Sequence, residues 1–463
     1  MSGRLPTRSH AALTLLLSLG LSAPAVSQDE GVWTAINSDA AWTRRAGLQV
    51  VELGGSFYLL GGRTSRPWTF PPIPGDSDIW GDVWRSDDRG LTWERILETD
   101  DANHWPARAY FRAVAKDEQI FVLGGQNYLL EPNPDCPPPH FGCTAFVSVS
   151  DFFNDVWSSS DGVTWTQRSA EAGWSPRAGL SAAVFKGELY VIGGSFQDDA
   201  AIVGGPPMRE YFNDVWKSAD GATWELCTDD PPFAPRAGAV ALAKGDYLYL
   251  FGGETGFLCD PLPFCTLPYF NDVWRTRDGI EWELVTPAAE WAPRPGHQVV
   301  VVDDRFLLFG GFGLNPFNPF AQANPLDVWV SDDGARWTLA SNSPWNAVFP
   351  EEIKYDFAVL STQAVVRGHR VPAVYTFGGD RETFNFFDPV NYLDMDNDVW
   401  RFLPPASGCL ADLDGDGTVG PFDLIQLLRA WGPCDGCPED LDQNGHVGWQ
   451  DLRIVLGQQG ACR

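Results

Sequence analysis

The stretch Leu189-Tyr190-Val191-Ile192-Gly193-Gly194, followed by Asn213-Asp214-Val215-Trp216 and then by Trp224, decides how this chain folds. Its opening is an apolar run of strand length that stops at paired glycines, a punctuation that ends a strand rather than a helix. Upstream, Arg177 begins another apolar run, and Lys186-Gly187-Glu188 supplies a tight turn between the two. Downstream, Asp220-Gly221-Ala222 turns the chain from the Asn-Asp-Val-Trp run into Trp224. The segment therefore predicts four short antiparallel strands, a to d, joined in chain order.

The same pattern recurs six times. Gly pairs begin at Gly61, Gly124, Gly193, Gly252, Gly310 and Gly378, and the first Trp of each unit is Trp84, Trp157, Trp216, Trp274, Trp329 and Trp400. Arg45, Arg108, Arg177, Arg236 and Arg294 each precede their Gly pair by 16 positions, and Lys354 takes the sixth place with eight extra residues before Gly378. Four strands repeated at roughly 60 residues are the signature of propeller blades. A second Trp closes five units at Trp93, Trp165, Trp224, Trp282 and Trp337, but none follows Trp400 before a proline pair. Gly31-Val32-Trp33-Thr34 reads like Ala222-Thr223-Trp224-Glu225, so the N-terminal segment is expected to supply the outer strand of the last blade. That closure protects an otherwise open sheet edge.

These residues closely resemble kelch repeats over about residues 30 to 403. The resemblance implies an all-β fold, a six-bladed kelch-type β-propeller assigned to residues 28–403. Kelch propellers serve as scaffolds, receptors and enzymes alike, so it does not imply one function.

Residues 1–27 read as a secretory signal peptide: Arg4, Arg8 and His10 precede an apolar run from Ala11 to Leu21, then small residues at Ala23-Pro24-Ala25. A secreted, extracellular or surface-associated protein is expected, with no membrane span. The formal charge of −29 argues against nucleic acid and anionic membrane as partners, since both need a basic surface. Nine cysteines in an exported chain should mostly pair. Cys136 with Cys143 and Cys259 with Cys265 share loops; Cys409, Cys434, Cys437 and Cys462 belong to the tail; Cys227 is left as a buried thiol.

Antiparallel order places the a–b and c–d turns on one end of the propeller and the b–c and d–a connections on the other. The b–c connections are long, which points to that end as the functional one. Arg45, Arg108, Arg177, Arg236 and Arg294 start their a strands there, with aromatics three residues earlier, including Trp105, Trp174 and Trp291. Guanidinium forks and aromatic faces suit acidic glycans or an acidic protein segment. The competing reading pairs each arginine with the Asp of its Asn-Asp-Val-Trp run as architecture. Loop aromatics such as Trp68, Phe70, Tyr128, Phe141, Phe257 and Phe264 offer stacking surfaces or cover small cores. His104, His140 and His297 do not form an evident copper set, and the Asp-box-like Ser86–Trp93 shapes a turn. Exported bacterial six-bladed kelch proteins include mutarotases acting on sialic acid; this resemblance implies a carboxylate near an arginine, for which Glu254, Asp380 and Glu382 qualify. Binding is the expected function and no catalytic residue is assigned; the alternative is a sugar-modifying enzyme using the central pocket.

The tail, residues 404–463, carries Asp412, Asp414, Asp416, Thr418 and Asp423, and then Asp440, Asp442, Asn444, His446 and Asp451 at the same spacing. Oxygen ligands at loop positions 1, 3, 5, 7 and 12, with glycine at 6, match an EF-hand-type loop, so two calcium ions are expected. A helical pattern follows each loop. The whole resembles a dockerin, a small α-helical calcium-loop domain, and the resemblance implies a cohesin-like docking partner. Loop positions 10 and 11 hold Pro421-Phe422 and Trp449-Gln450 where dockerins often carry Ser-Thr. Pairing of cysteines within each half, Cys409 with Cys434 and Cys437 with Cys462, is the first expectation, with cross-pairing open.

Overall fold

The computed structural model describes residues 31–66, 77–127, 129–136, 143, 146–197, 209–256, 269–312, 327–344, 354–366, 369–381, 394–404, 411–414, 418–434, 437–442 and 444–461. The expected signal peptide lies outside these residues, as do Trp68, Phe70, Tyr128, Phe141, Phe257, Phe264, His140, Glu382, Asp416, Cys259, Cys265, Cys409 and Cys462.

Six four-stranded antiparallel sheets form the six blades. The third shows the plan: Ser181–Phe185, Glu188–Phe196, Glu210–Ser218 and Glu225–Thr228 pair in chain order. The a strands lie inside, each beside the a strands of both neighbours, and the ring closes from Ala358–Val366 back to Gln49–Leu53. Apolar side chains from facing sheets fill the space between blades; Phe121, Leu123 and Val156 of blade 2, for example, pack with Leu180, Leu189 and Val191 of blade 3. Burial on both faces is why the b strands read as continuous apolar runs.

Closure follows the sequence expectation. The N-terminal strand Val32–Asn37 pairs antiparallel with Met395–Leu403, from Val32 opposite Leu403 to Asn37 opposite Val399. Trp33 fills the junction with blade 5, its ring centroid 5.6 Å from Phe309 and 4.9 Å from Phe402. The eight extra residues of blade 6 lengthen its a–b hairpin, whose ladder runs from Ala358 opposite Phe377 out to Val366 opposite His369.

The tail holds helices α1 (Pro421–Arg429) and α2 (Trp449–Gly457). Thr418–Val419 pairs with Gly460–Ala461, and Gly432–Pro433 with His446–Val447, so each half lends a strand to the other. Ala411, Val419, Leu427, Leu441, Val447, Ile454 and Val455 form its core, and Val32 of the propeller packs against it. Arg401 of blade 6 donates to the Asp442 carbonyl. Two disulfides join described residues, Cys136–Cys143 and Cys434–Cys437. The second corrects the expected pairing within halves: Cys434 closes a three-residue step to Cys437, bridging the two halves instead of framing one. Cys227 is a free, half-buried thiol, its pKa pushed up to about 11 by burial.

Among the described residues, no helix is long and apolar enough to cross a membrane.

Candidate functional site

The five arginines lie where the repeat predicts, but their side chains are only 0–1% exposed. Arg177 donates from Nη1 and Nη2 to the two carboxylate oxygens of Asp214, at 2.5 and 3.0 Å, and from Nη1 to the Gly193 carbonyl at 3.0 Å. Arg45, Arg108, Arg236 and Arg294 do the same with Asp82, Asp155, Asp272 and Asp327. Lys354 reaches Asp398 at 2.5 Å and Asp396 at 3.0 Å in the sixth blade. Each pair ties the a, b and c strands of one blade. The link between blades is made by the backbone: the second glycine of a pair donates to the carbonyl of the next blade's arginine, as Gly194 does to Arg236 at 2.8 Å. The expectation that these arginines face a ligand is therefore revised. With both Nη groups committed and no exposed surface, they serve the architecture.

Trp105, Trp174 and Trp291 are equally sealed, at 0–1% exposure. They make edge-to-face contacts with Trp165, Trp224 and Trp337 of their own blades, at 5.7, 5.9 and 6.2 Å. Asn154 and Asn271, from the Asn-Asp-Val-Trp runs, donate to the Trp174 and Trp291 carbonyls and hold these aromatics over the next blade. No stacking surface remains. His104 takes its partners from Asp100 and Glu98, and His297 is buried against the Arg294 carbonyl, so neither joins a metal set.

What differs from blade to blade lies nearer the axis. Two residues after each arginine, or after Lys354, the backbone adopts a left-handed conformation: Gly47, Tyr110, Gly179, Gly238, Gly296 and Asp356, with φ between 49° and 64°. Four of the six are glycine, as this conformation favours; Tyr110 and Asp356 are strained, a cost of about 1–3 kcal/mol each. Around this girdle Gly47 donates to Asp356, Tyr110 to Gly47, Gly179 to Tyr110, Gly238 to Gly179 and Asp356 to Gly296, at 2.8–3.3 Å. Immediately after the Gly pairs stands a second ring of six unlike side chains: Arg63, Gln126, Ser195, Glu254, Phe312 and Asp380. Here Arg63 is ion-paired to Asp380 and donates to the Tyr110 hydroxyl at 2.7 Å. Glu254 stands beside Tyr269, whose hydroxyl pKa is raised first by burial and then by that carboxylate. Glu254 and Asp380 thus sit at the channel end expected of them, and Asp380 has an arginine beside it, though not one of the predicted five.

Along the inner a strands runs a cavity of about 400 Å³ lined by Gln49, Arg112, Val240, Gln298, Val300 and Phe357, among others. Sequence reasoning missed Arg63, Tyr110, Arg112 and Asp356. The signal was present as departures from the repeat, and finding it requires comparing the same position across blades.

In the tail, carboxylate oxygens of Asp412, Asp414 and Asp423 lie within 4.8 Å of one another, as do those of Asp440, Asp442 and Asp451. Asp423 accepts N–H groups of Leu413, Asp414 and Gly420 at 2.6–3.1 Å; although burial opposes it, these bonds hold its carboxyl below the usual range. Asp451 repeats this arrangement with Leu441, Asp442 and Gly448. Burial, then the charge of Asp451, pushes Asp442 up to about 7, the mark of a carboxylate cluster that lacks positive charge. Thr418 and His446, at loop position 7, open the short strands within their loops, and Asn444 donates to Asp442 and Gln450.

Six blades, an outer strand from the N-terminal segment and arginine–aspartate ties in five of the blades define a kelch-type propeller. The model of the KLHDC2/KLHL20/DRC7 Kelch-repeats domain matches residues 47–311, and the chain belongs to this family. It is similar to the flagellar outer-arm dynein alpha chain of Chlamydomonas reinhardtii, 23% identical over 61% of this chain and 6% of that one. It is also similar to xyloglucanase Xgh74A of Acetivibrio thermocellus, 23% identical over 64% of this chain and 32% of that one. The chain thus spans a minor part of either relative. Among solved structures, YjhT shares the fold with a TM-score of 0.53 and 12% identity, over 79% of this chain and 96% of that one.

Proposed function

We propose that the protein is an exported binding module whose propeller recognises an extracellular acidic glycan or protein segment at the b–c end. The observation that carries this reading is the ring of six unlike side chains at equivalent positions, Arg63 to Asp380, on a frame whose structural positions are nearly identical. A scaffold needs only the repeated residues; chemistry that changes from blade to blade suits recognition of an asymmetric ligand.

The tail, in this proposal, binds two calcium ions through Asp412, Asp414, Asp416, Thr418 and Asp423, and through Asp440, Asp442, Asn444, His446 and Asp451, and docks to a partner of cohesin-like type or to a surface. The two carboxylate clusters support calcium. Exposed Phe422 and Trp449, 70% and 78% accessible at loop positions 11 and 10, support an apolar docking contact.

The second reading, a sugar-modifying enzyme, draws support from the carboxylate, guanidinium and phenol gathered in Asp380, Arg63 and Tyr110. Glycan-array screening of the protein, run beside an NMR assay for anomeric exchange on acidic sugars, separates the two. Retention of an acidic glycan without exchange, weakened in Arg63→Ala, is the expected result. Exchange abolished in Asp380→Asn would replace binding by catalysis.

A further inference from the structure

Five of the six junctions between blades are tied at the inner rim by a pair of backbone hydrogen bonds. In the first bond the second glycine of a Gly pair donates to the next blade: Gly62 to Arg108, Gly125 to Arg177, Gly194 to Arg236, Gly311 to Lys354 and Gly379 to Arg45, at 2.8–3.0 Å. The girdle of left-handed residues supplies the second bond at the same five junctions. Between blades 4 and 5 both are missing among the described residues: Gly253 does not donate to Arg294, nor Gly296 to Gly238.

The cause lies in the local sequence. Blade 5 reads Arg294-Pro295-Gly296-His297 where blade 3 reads Arg177-Ala178-Gly179-Leu180. Ala178 donates to the Ser195 carbonyl at 2.9 Å, a bond for which Pro295 has no N–H. The last residue of this run lies against the first glycine of the preceding blade's pair, as Phe111 does against Gly61, Leu180 against Gly124 and Phe357 against Gly310. In blade 5 that wedge is His297, against Gly252. Unlike its apolar counterparts it donates, from Nδ1 to the Arg294 carbonyl at 2.9 Å. It thereby engages the acceptor that elsewhere receives the glycine N–H.

The outer part of this junction is well joined. Phe251, Val273, Trp291, Val299, Phe306 and Trp337 pack in one apolar cluster, and Asn271 donates to the Ala289 and Trp291 carbonyls. The missing ties therefore loosen only the inner rim, and local opening occurs where such bonds are few. Glu254 and Phe312, which follow their Gly pairs in the ring of unlike side chains, stand on its two sides.

His297 is buried with its ring 5.5 Å from Trp291, and its Nε2 has no hydrogen-bond partner. Burial lowers its pKa to about 4; the Arg294 and Phe251 carbonyls favour the proton, and the charges of Arg294 and Arg112 oppose it. The closed rim thus holds the neutral ring. Its stability is intact above the ordinary value of 6.5 and is lost as pH falls toward 4.

We propose that the inner rim between blades 4 and 5 is a gate in the ring, opening reversibly between Glu254 and Phe312, and that acid favours the open form by protonating His297. The gate does not depend on what the propeller binds.

The test is amide hydrogen exchange of the full chain at pH 7.5 and 4.5, resolved to single residues by mass spectrometry and corrected for the intrinsic rate at each pH. Gly253 is compared with Gly194, its counterpart in blade 3. At pH 7.5 Gly253 is expected to be at least about tenfold less protected. By pH 4.5 it should lose on the order of fiftyfold more protection than Gly194, the ratio set by a pKa of about 4 when closed and 6.5 when open. His297→Leu, which gives the wedge its blade 3 residue, should raise Gly253 to the level of Gly194 at both pH values. His297→Gln keeps a donor for the Arg294 carbonyl without a titrating ring. It should keep the low protection and lose the acid dependence, and it serves where the Leu variant does not fold. Equal protection of Gly253 and Gly194 in the unaltered protein would overturn the gate. An undiminished acid response in His297→Gln would overturn the role of the histidine.

Discussion

Arg177 and Arg112 carry the same guanidinium to different partners. Arg177 is fastened at 2.5 and 3.0 Å to both oxygens of Asp214, while Arg112 donates to the Leu180 carbonyl. Replacing Arg177 by alanine leaves Asp214 mostly buried without its counter-charge, so Arg177→Ala should destabilise the propeller by about 3–5 kcal/mol in urea unfolding. A loss below about 1 kcal/mol, the worth of an exposed pair, would show that the tie is not structural. The arginine–aspartate register was legible because it recurs with fixed spacing. What it does was not legible: the same spacing fits a ring facing solvent and a ring facing inward, and only packing against the next blade decides. Arg63, Tyr110, Arg112 and Asp356 escaped for the converse reason. Aligning the blades by likeness averages out the positions at which they differ.

At the scale of strands and helices, the missing second Trp after Trp400 located the closing strand correctly, since Val32–Asn37 does complete the sixth blade. Deleting residues 28–38 should expose the Met395–Leu403 edge, remove Trp33 from between Phe309 and Phe402, lower the melting midpoint by about 5 °C or more and promote aggregation. An unchanged midpoint in differential scanning calorimetry would mean that the strand adds nothing to the ring. The eight extra residues of blade 6 were countable in the sequence, but nothing there said that they would extend a hairpin. Disulfide partners were harder still. Spacing alone admits several pairings of the four tail cysteines, and Cys434–Cys437 became visible only once the two halves were folded against each other.

Over the whole molecule the tail rests on blade 6 through Arg401 and Val32, yet keeps its own core. If the two acidic clusters hold calcium, chelation should lower the helicity of the tail while leaving the strand signal of the propeller in place. Asp412→Ala combined with Asp440→Ala should abolish calcium uptake by the full chain in calorimetry. The sign follows from charge: three carboxylates within 4.8 Å repel one another until a cation enters. Undiminished uptake in the double variant would refute the assignment of these loops, and no uptake by the unaltered protein would refute calcium altogether.

The pairing of Val32 with Leu403 also imposes an order in time. These partners are roughly 370 positions apart, so a chain made or delivered from its N-terminal end holds its first strand idle until the c strand of the last blade arrives. Five blades can assemble from neighbouring segments; the sixth cannot, and until it does the ring is an open arc with an unsatisfied edge at Met395–Leu403. Contacts this distant in sequence form slowly, because the intervening chain must already be organised before its ends meet. Closure is therefore expected to come last, and a chain that stops short of Leu403 has no partner for its own beginning.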